Sequence, residues 1–236
     1  MRPISDILAQ SVQIYRLRAA ELIGYSGWLL LPTAALLLAS YLPEGVAQSI
    51  LFFAIFVFQI VLWLRICIIL CLLSQDAFTG KPTDAATIQQ LARSRSLPLI
   101  LVSLLVGAVV LGGTILFVVP GLIFAIWFGY AQFLAMFEGK QGLAALAESR
   151  SLVQGRFWIA VRYQLFGPIT VVFIYSVLLA LVLTGLGFLT ETPLETIFAD
   201  IPPLWVSAVS AIGDAFMIPL VLLVSVGSYL EFRKGE

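Results

Sequence analysis

Six long apolar runs constrain this chain more than any other feature of its sequence. A run of about 18 or more apolar residues is long enough for a helix to cross the ~30 Å hydrocarbon core of a bilayer. The pattern predicts an all-α fold, a polytopic bundle of six transmembrane helices that forms a single membrane domain over residues 1–236. The predicted spans are Leu22–Leu42, Val46–Leu73, Leu97–Val119, Leu122–Phe137, Trp158–Leu189 and Leu204–Leu230.

Composition supports the same class and excludes several functions. The chain is 61% apolar and 11% charged, whereas a soluble domain is usually about half apolar and about a quarter charged. Its formal net charge is zero, which gives no support for a nucleic-acid partner. It contains no histidine, so chemistry that needs an imidazole base or ligand is excluded. We expect no cofactor and no metal site.

The distribution of lysine and arginine predicts the orientation of the spans. Basic residues fall in the N-terminal segment, in two of the loops and in the C-terminal tail, and the other three connections have none. Cytoplasmic segments of membrane proteins carry an excess of Lys and Arg. We therefore expect a multi-pass protein of the cytoplasmic membrane with both termini in the cytoplasm. The basic residues are Arg2, Arg16, Arg18, Lys81, Arg93, Arg95, Lys140, Arg150, Arg156, Arg233 and Lys234.

A polar sequence motif, called the phrase below, occurs twice in the predicted cytoplasmic loops. Both copies open with F-x-G-K, at Phe78 and Phe137, and both contain S-R-S-L, at Ser94–Leu97 and Ser149–Leu152. Each copy has the pattern of a short amphipathic helix at the membrane interface, and a third such segment precedes the first span. The apolar faces are Ile4, Ile7, Leu8 and Ser11, then Ala85, Ile88, Leu91 and Ala92, then Leu143, Leu146 and Ala147.

These segments suggest an internal repeat. Each unit would be an interfacial helix, a span, a short turn and a returning span, and the units would cover about 1–77, 78–136 and 137–236. The alternative is that two loops of similar composition acquired similar sequence motifs independently. Two further expectations concern proline: a tight turn at Val119-Pro120-Gly121, and a kink at Gly167-Pro168 in the fifth span.

Three polar residues within the spans are candidates for a buried polar or ligand site. An ionisable side chain inside a membrane is costly and is a functional hypothesis by default. Arg65 either extends to the interface or faces the bundle. Asp214 is protonated, or hydrogen-bonded to a neighbouring helix, or else part of a substrate or proton site. Gln132 is a weaker candidate, and an inter-helix hydrogen bond would also explain it.

Three arginines in the loops are candidates for contact with lipid headgroups. Arg95 and Arg150 precede predicted spans, and Arg156 follows the second copy of the phrase. Their side chains could fix the depth of the next helix or bind phosphate specifically. Membrane lipids are the partners that the sequence implies, and it leaves a protein partner open.

The second half of the chain resembles a known group of prokaryotic proteins. The residues that carry the resemblance are Pro120-Gly121, Trp127, Tyr130, Phe133, Glu138-Gly139, Gly142, Ala145-Leu146, Ser149, Leu152-Val153 and Gly155-Arg156-Phe157-Trp158. They are similar to the glycerophosphodiester phosphodiesterase membrane-domain family of six-span inner-membrane proteins. Some relatives carry a separate phosphodiesterase domain, which we do not expect here because the spans occupy the chain and it lacks histidine. The resemblance thus implies the six-span plan and no activity.

The sequence favours a non-catalytic membrane protein that organises lipids or partner proteins at the inner leaflet. Three interfacial helices and the lack of a catalytic constellation are the reasons. The alternative is a transporter or lipid translocator with a polar site around Asp214. A membrane enzyme is the third hypothesis, although no residue stands out as its nucleophile or base.

Overall fold

The computed structural model describes residues 2–43, 45–81, 83–199 and 202–235, which form helices joined by short loops. One turn, Arg162–Phe166, is π-helical. No strand occurs within these described ranges. The helices are α1 Ile4–Leu17, α2 Ala19–Gly27, α3 Leu30–Ala39, α4 Val46–Thr79, α5 Ala85–Leu116, α6 Val118–Phe128, α7 Ala131–Phe137, α8 Gly142–Val153, α9 Phe157–Val161, α10 Gly167–Leu189, α11 Leu194–Ile197 and α12 Leu204–Lys234.

Six helical segments are long and apolar enough to cross a membrane, which confirms the predicted bundle. They are Ala19–Ala39, Val46–Thr79, Ala85–Leu116, Val118–Phe137, Phe157–Leu189 and Leu204–Lys234. Because the number of spans is even, the two terminal segments lie at the same end, where the backbone N–H of Arg2 donates to Glu231 at 2.9 Å. We call this end, which carries Arg2 and Arg233, the basic end of the bundle, and the opposite end, which carries Glu191 and Glu195, the acidic end.

Helix α1 is a separate helix that packs on the bundle through one face. Ile7, Ser11 and Ile14 are buried, and Gly227 in α12 makes room for this face, because a Cβ there would lie 3.0 Å from Ile7. The hydroxyl of Tyr15 donates to the carbonyl of Phe216 at 3.0 Å. Burial raises the pKa of Tyr15, so this hydroxyl keeps its proton. Contacts with α12 therefore hold α1 in place.

The second predicted interfacial helix is not a separate element. It is the first part of α5, which continues through Pro98 into the third span. Asp84 caps this helix by accepting from the backbone N–H of Thr87 at 3.4 Å. A proline is tolerated within a membrane helix because neighbouring groups can satisfy the carbonyl that it leaves unbonded. Of the predicted face, Ile88 and Ala92 are buried, whereas Ala85 is exposed.

The predicted turn at Val119-Pro120-Gly121 is wrong by a few residues. The chain reverses at Phe117, which has an extended backbone (φ −161°, ψ 147°), and Pro120 lies in the first turn of α6. A proline costs little there because the first N–H groups of a helix have no intrahelical partner. Gly121 serves close packing, since a Cβ there would overlap Thr114 of α5.

The π-helical turn lies where the kink at Gly167-Pro168 was predicted. Proline has no N–H to offer the carbonyl four residues before it, here that of Gln164. The π-helical turn ends at Phe166, immediately before this Gly-Pro pair. An interrupted hydrogen-bond ladder at this position is the expected result of such a proline.

The two copies of S-R-S-L lie in different surroundings. In α8, Ser149 and Leu152 are buried, whereas the matching Ser94 and Leu97 in α5 are exposed. Of the predicted face of α8, Leu146 is buried, whereas Leu143 and Ala147 are exposed. The helix instead turns Ala145, Leu146, Ser149, Leu152 and Val153 towards the bundle. The division of the chain into three repeats stays a prediction.

Candidate functional site

A groove beside the second span collects polar side chains near the basic end. It lies between α2, α4 and α5 and has a volume of about 640 Å³. Its polar lining comes from two arginines and two glutamines, and its aromatic lining from one tyrosine and one tryptophan. The lining residues are Tyr25, Trp28, Leu62, Arg65, Ile66, Ile69, Ala86, Gln89, Gln90, Ala92 and Arg93. We call it the arginine groove.

Arg65 and Arg93 give this groove a positive charge that no lining residue balances. None of the described residues that line it is acidic. Neither arginine has a hydrogen bond or an ion pair with any residue in the described ranges. By helix rise, Arg65 lies roughly 21 Å from the end of α4 at Thr79. Two like charges held in one groove, one of them deep in a span, form a local site for an anion.

The other lining residues suit an amphipathic ligand. Gln89, Gln90 and Arg93 lie on successive turns of α5, where residues three and four apart share a face. The side-chain amides of both glutamines are exposed and have no partner within the described part of the chain. Leu62, Ile66 and Ile69 form an apolar wall on α4. The helical spacing in α5 predicts that Gln89, Gln90 and Arg93 share a face, but nothing in the sequence indicates that this face lies beside Arg65.

A second groove lies between α3, α4 and α12 and has a volume of about 360 Å³. Among the described residues that line it, Asp214 is the only charged one. We call it the aspartate groove. By helix rise, Asp214 lies roughly 15 Å from the start of α12 at Leu204, near the middle of a bilayer. The lining residues are Leu29, Leu30, Thr33, Gln59, Trp63, Ser207, Ser210, Ala211, Asp214, Ala215 and Ile218.

A tyrosine of α10 holds the carboxylate of Asp214. The hydroxyl of Tyr175 donates to Asp214 Oδ1 at 2.7 Å. Gly213 permits this approach, because a Cβ there would lie 2.8 Å from the tyrosine oxygen. Asp214 forms no ion pair with any residue that the structure describes. The structure does not bring Asp214 and Arg65 together, since the two residues line different grooves.

The three residues predicted to form a buried polar site are all on the surface of the bundle. Arg65 and Asp214 are exposed towards their grooves, and Gln132 is exposed outside every groove described above. Gln132 faces outward because α7 turns Ala131, Leu134 and Ala135 to its neighbours. The spans bury only part of their surface against one another, and a ligand role for these three residues stays a prediction.

A different glutamine forms an inter-helix hydrogen bond. Gln164 donates from Nε2 to the carbonyl of Ile126 at 3.0 Å and so links the fifth span to the fourth. Gly129 leaves space for this amide, because a Cβ there would overlap it. Polar side chains commonly join membrane helices in this way.

The three arginines predicted to contact headgroups differ in their surroundings. Arg150 is exposed, and its guanidinium lies 4.8 Å from the centre of the Trp127 ring. Arg156 is half-buried, lies 4.7 Å from the centre of the Phe232 ring and donates to the carbonyl of Leu152 at 3.2 Å. Arg95 is also half-buried, and its guanidinium lies against the loop at Gly139. Their role at headgroups stays a prediction, for which Arg150 is best placed.

Charge pairs at the basic end were not predicted from the sequence. Arg233 pairs with Glu138 and also donates to the hydroxyl of Tyr229 at 2.8 Å. These contacts tie the last span to the loop after α7. No short sequence motif signals them, because the partners come from distant parts of the chain.

Comparison with known proteins adds no assignment to either groove. No protein-family model, no curated protein and no solved structure matches this chain. The resemblance to the glycerophosphodiester phosphodiesterase membrane-domain family therefore stays a prediction. The two grooves are the features from which a function can be inferred.

Proposed function

We propose that this chain is a non-catalytic membrane protein that binds and organises lipids with anionic headgroups at the inner leaflet of the cytoplasmic membrane. The observation that carries the proposal is the arginine groove, in which Arg65 and Arg93 have no ion-pair partner within the described ranges. The positive-inside rule supports the inner leaflet, because the groove lies towards the basic end.

The energetic reason is that Arg65 needs a partner when the chain is in a bilayer. An arginine in the centre of a membrane helix costs about 3 kcal/mol on insertion scales. A lipid phosphate would offset part of this cost, because a guanidinium can donate two parallel hydrogen bonds to phosphate oxygens. Arg93 would supply a second positive charge, and the amides of Gln89 and Gln90 would supply further donors.

The apolar wall of the groove supports a lipid over a free anion. An acyl chain beside Leu62, Ile66 and Ile69 would cover hydrocarbon surface, and the ring of Trp28 would add to this apolar surface. A soluble phosphate would leave this wall uncovered. The combination of charge and apolar surface therefore favours a phospholipid.

The test is native mass spectrometry of purified protein supplied with equal amounts of phosphatidylglycerol and phosphatidylethanolamine. We expect wild type to retain phosphatidylglycerol preferentially. Replacing Arg65→Gln and Arg93→Gln together should weaken that retention by about tenfold or more, which corresponds to about 1.4 kcal/mol.

The matched control removes two positive charges from the same end outside the groove. Arg16→Gln with Lys81→Gln serves this purpose, because both residues are exposed and neither lines the groove. Equal loss of lipid in this control would show that net charge alone attracts the lipid. Unchanged retention in the groove variant would contradict the proposal.

The non-catalytic part of the proposal needs a separate assay. Purified protein incubated with bilayer lipids should leave their masses unchanged over many hours. Any lipid product that wild type forms, and that heat-inactivated protein does not form, would contradict it.

Translocation is the second candidate function, and the aspartate groove favours it. A carboxylate near mid-membrane that is open to a groove is a feature of transport pathways. If Asp214 carries the substrate or a proton, Asp214→Asn should abolish lipid or solute flux into vesicles while the protein stays folded. Flux that is unchanged in this variant would exclude that role.

A further inference from the structure

The aspartate groove carries a set of polar groups that the anionic-lipid proposal does not use. Asp214 has one donor, Tyr175, and an ionised carboxylate can accept about four hydrogen bonds. The side chains of Gln59, Ser207 and Ser210 have no hydrogen-bond partner within the part of the chain that is described. Polar groups at this depth in a bilayer are costly unless they are satisfied.

The charge of the groove selects a cation. No lysine or arginine in the described ranges lines it, so a ligand would meet the Asp214 carboxylate and neutral acceptors among these residues. Trp63 adds an aromatic surface, and indole rings attract cations. A phosphate would be repelled by Asp214, and it would find no basic residue in the lining to bind it.

The acceptors of the groove favour an ammonium that carries N–H groups. The carboxylate, the hydroxyl oxygens of Ser207 and Ser210 and the amide oxygen of Gln59 can each accept one hydrogen bond. A primary ammonium has three donors to offer, whereas a quaternary ammonium has none. The groove is small for a ligand site, at about 360 Å³, which suits a headgroup and the start of its chain.

From this geometry we infer that the aspartate groove binds a primary ammonium amphiphile that carries no phosphate, through the carboxylate of Asp214. The site is of opposite charge to the arginine groove and is lined by α3, α4 and α12 instead of α2, α4 and α5. The inference does not depend on the anionic-lipid proposal, because each groove has its own lining residues. It also requires no transport, since a stationary site is sufficient.

The probe is dodecylamine, added to protein in nanodiscs and counted by native mass spectrometry after release from the disc. We expect saturable binding of one dodecylamine per chain. Asp214→Asn should weaken it at least tenfold, and Ser207→Ala with Ser210→Ala should weaken it severalfold. Glu195→Gln is the control for negative charge elsewhere, because Glu195 is exposed beyond the end of α10 and should leave binding unchanged.

Competing ligands separate the chemistry of the headgroup. Dodecanol has the same chain without charge and should not displace dodecylamine, and dodecyltrimethylammonium should displace it only weakly. Phosphatidylethanolamine carries an ammonium beside a phosphate and should also compete weakly. Displacement by any of the three that equals displacement by dodecylamine itself would overturn the inference.

Two further results would overturn it. One is dodecylamine binding that is as tight in Asp214→Asn as in wild type, with both proteins showing the same thermal unfolding midpoint. The other is an absence of saturable binding to wild type. If Asp214→Asn unfolds the protein, Tyr175→Phe replaces it as the test variant. Loss of the tyrosine hydroxyl leaves the Asp214 carboxylate with one donor fewer, so dodecylamine should bind more tightly. Equal or weaker binding would contradict the inference.

Discussion

Gly139 shows how one residue can fix the position of a charged side chain. Its backbone is in the left-handed region, at φ +71°, and a Cβ there would overlap the guanidinium of Arg95. A residue with a side chain pays roughly 1–2 kcal/mol for this conformation even in open space. At Gly139 the added methyl group must also displace Arg95, whose Nε is buried without a partner among the described residues.

We therefore expect Gly139→Ala to destabilise the protein by about 1 kcal/mol more than the backbone penalty alone. Gly155→Ala is the matched control, because Gly155 has φ +77° with nothing within 4 Å of the added Cβ. Thermal unfolding in one detergent measures both. If the two variants lose equal stability, Arg95 moves freely and does not pack against the loop.

A second residue prediction concerns the repeated tetrapeptide. Ser149 is buried and donates from Oγ to the carbonyl of Trp127 at 2.7 Å. We expect Ser149→Ala to cost about 1–3 kcal/mol, because that carbonyl loses its donor. Ser94→Ala changes the matching position, which is exposed, and should alter stability by less than about 0.5 kcal/mol. Equal effects on the unfolding midpoint would contradict this difference.

At the scale of elements, the hairpin of α5 and α6 depends on close approach of two backbones. A Cβ at Gly121 would lie 2.9 Å from the backbone nitrogen and Cα of Thr114, neither of which can rotate away. We expect Gly121→Ala to cost about 1–3 kcal/mol through overpacking. Gly112→Ala is the control, because open space surrounds Gly112 and alanine favours a helix by up to about 1 kcal/mol. An unfolding midpoint for Gly121→Ala at or above that of wild type would exclude this packing.

The sequence predicts the existence of these elements better than their ends. Apolar runs determine where the spans occur. A segment that lies in hydrocarbon needs apolar side chains, and its backbone N–H and C=O groups must be bonded within a helix. The ends follow from local details: α5 absorbs a predicted interfacial helix, and the hairpin turn falls at Phe117. Pro120 gave the wrong signal for the turn, since it lies near the start of α6, and Pro98 lies inside α5 without ending it.

At the scale of the whole molecule, the arrangement of charges predicts one orientation. A reporter protein that is active only in the cytoplasm should be active when inserted after Gly80 and inactive when inserted after Glu191. The reason is that Gly80 lies at the basic end and Glu191 at the acidic end, and basic segments stay in the cytoplasm. The opposite pattern of activity would show that the bundle has the inverse orientation, with the arginine groove in the outer leaflet.

The candidate site was predictable only in part at this scale. Arg65 and Asp214 stand out because they are charged residues within apolar runs. Their separate grooves depend on how α2 and α3 lie against α4, and side-chain spacing within one helix does not contain that information. Gln132 shows the limit of prediction from sequence, because the packing of neighbouring helices decides whether a polar residue in a span is exposed or buried.

The attachment of α1 to α12 has a consequence for biosynthesis. Arg2 contacts Glu231, and Tyr15 contacts Phe216, across more than two hundred positions of the chain. Helix α1 therefore cannot make these two contacts until α12 has been made and inserted. Until then its apolar side must be covered by lipid or by an insertion factor. Docking of α1 on α12 would therefore follow insertion of the sixth span, and a product truncated before that span would leave α1 without these contacts and more accessible to proteases.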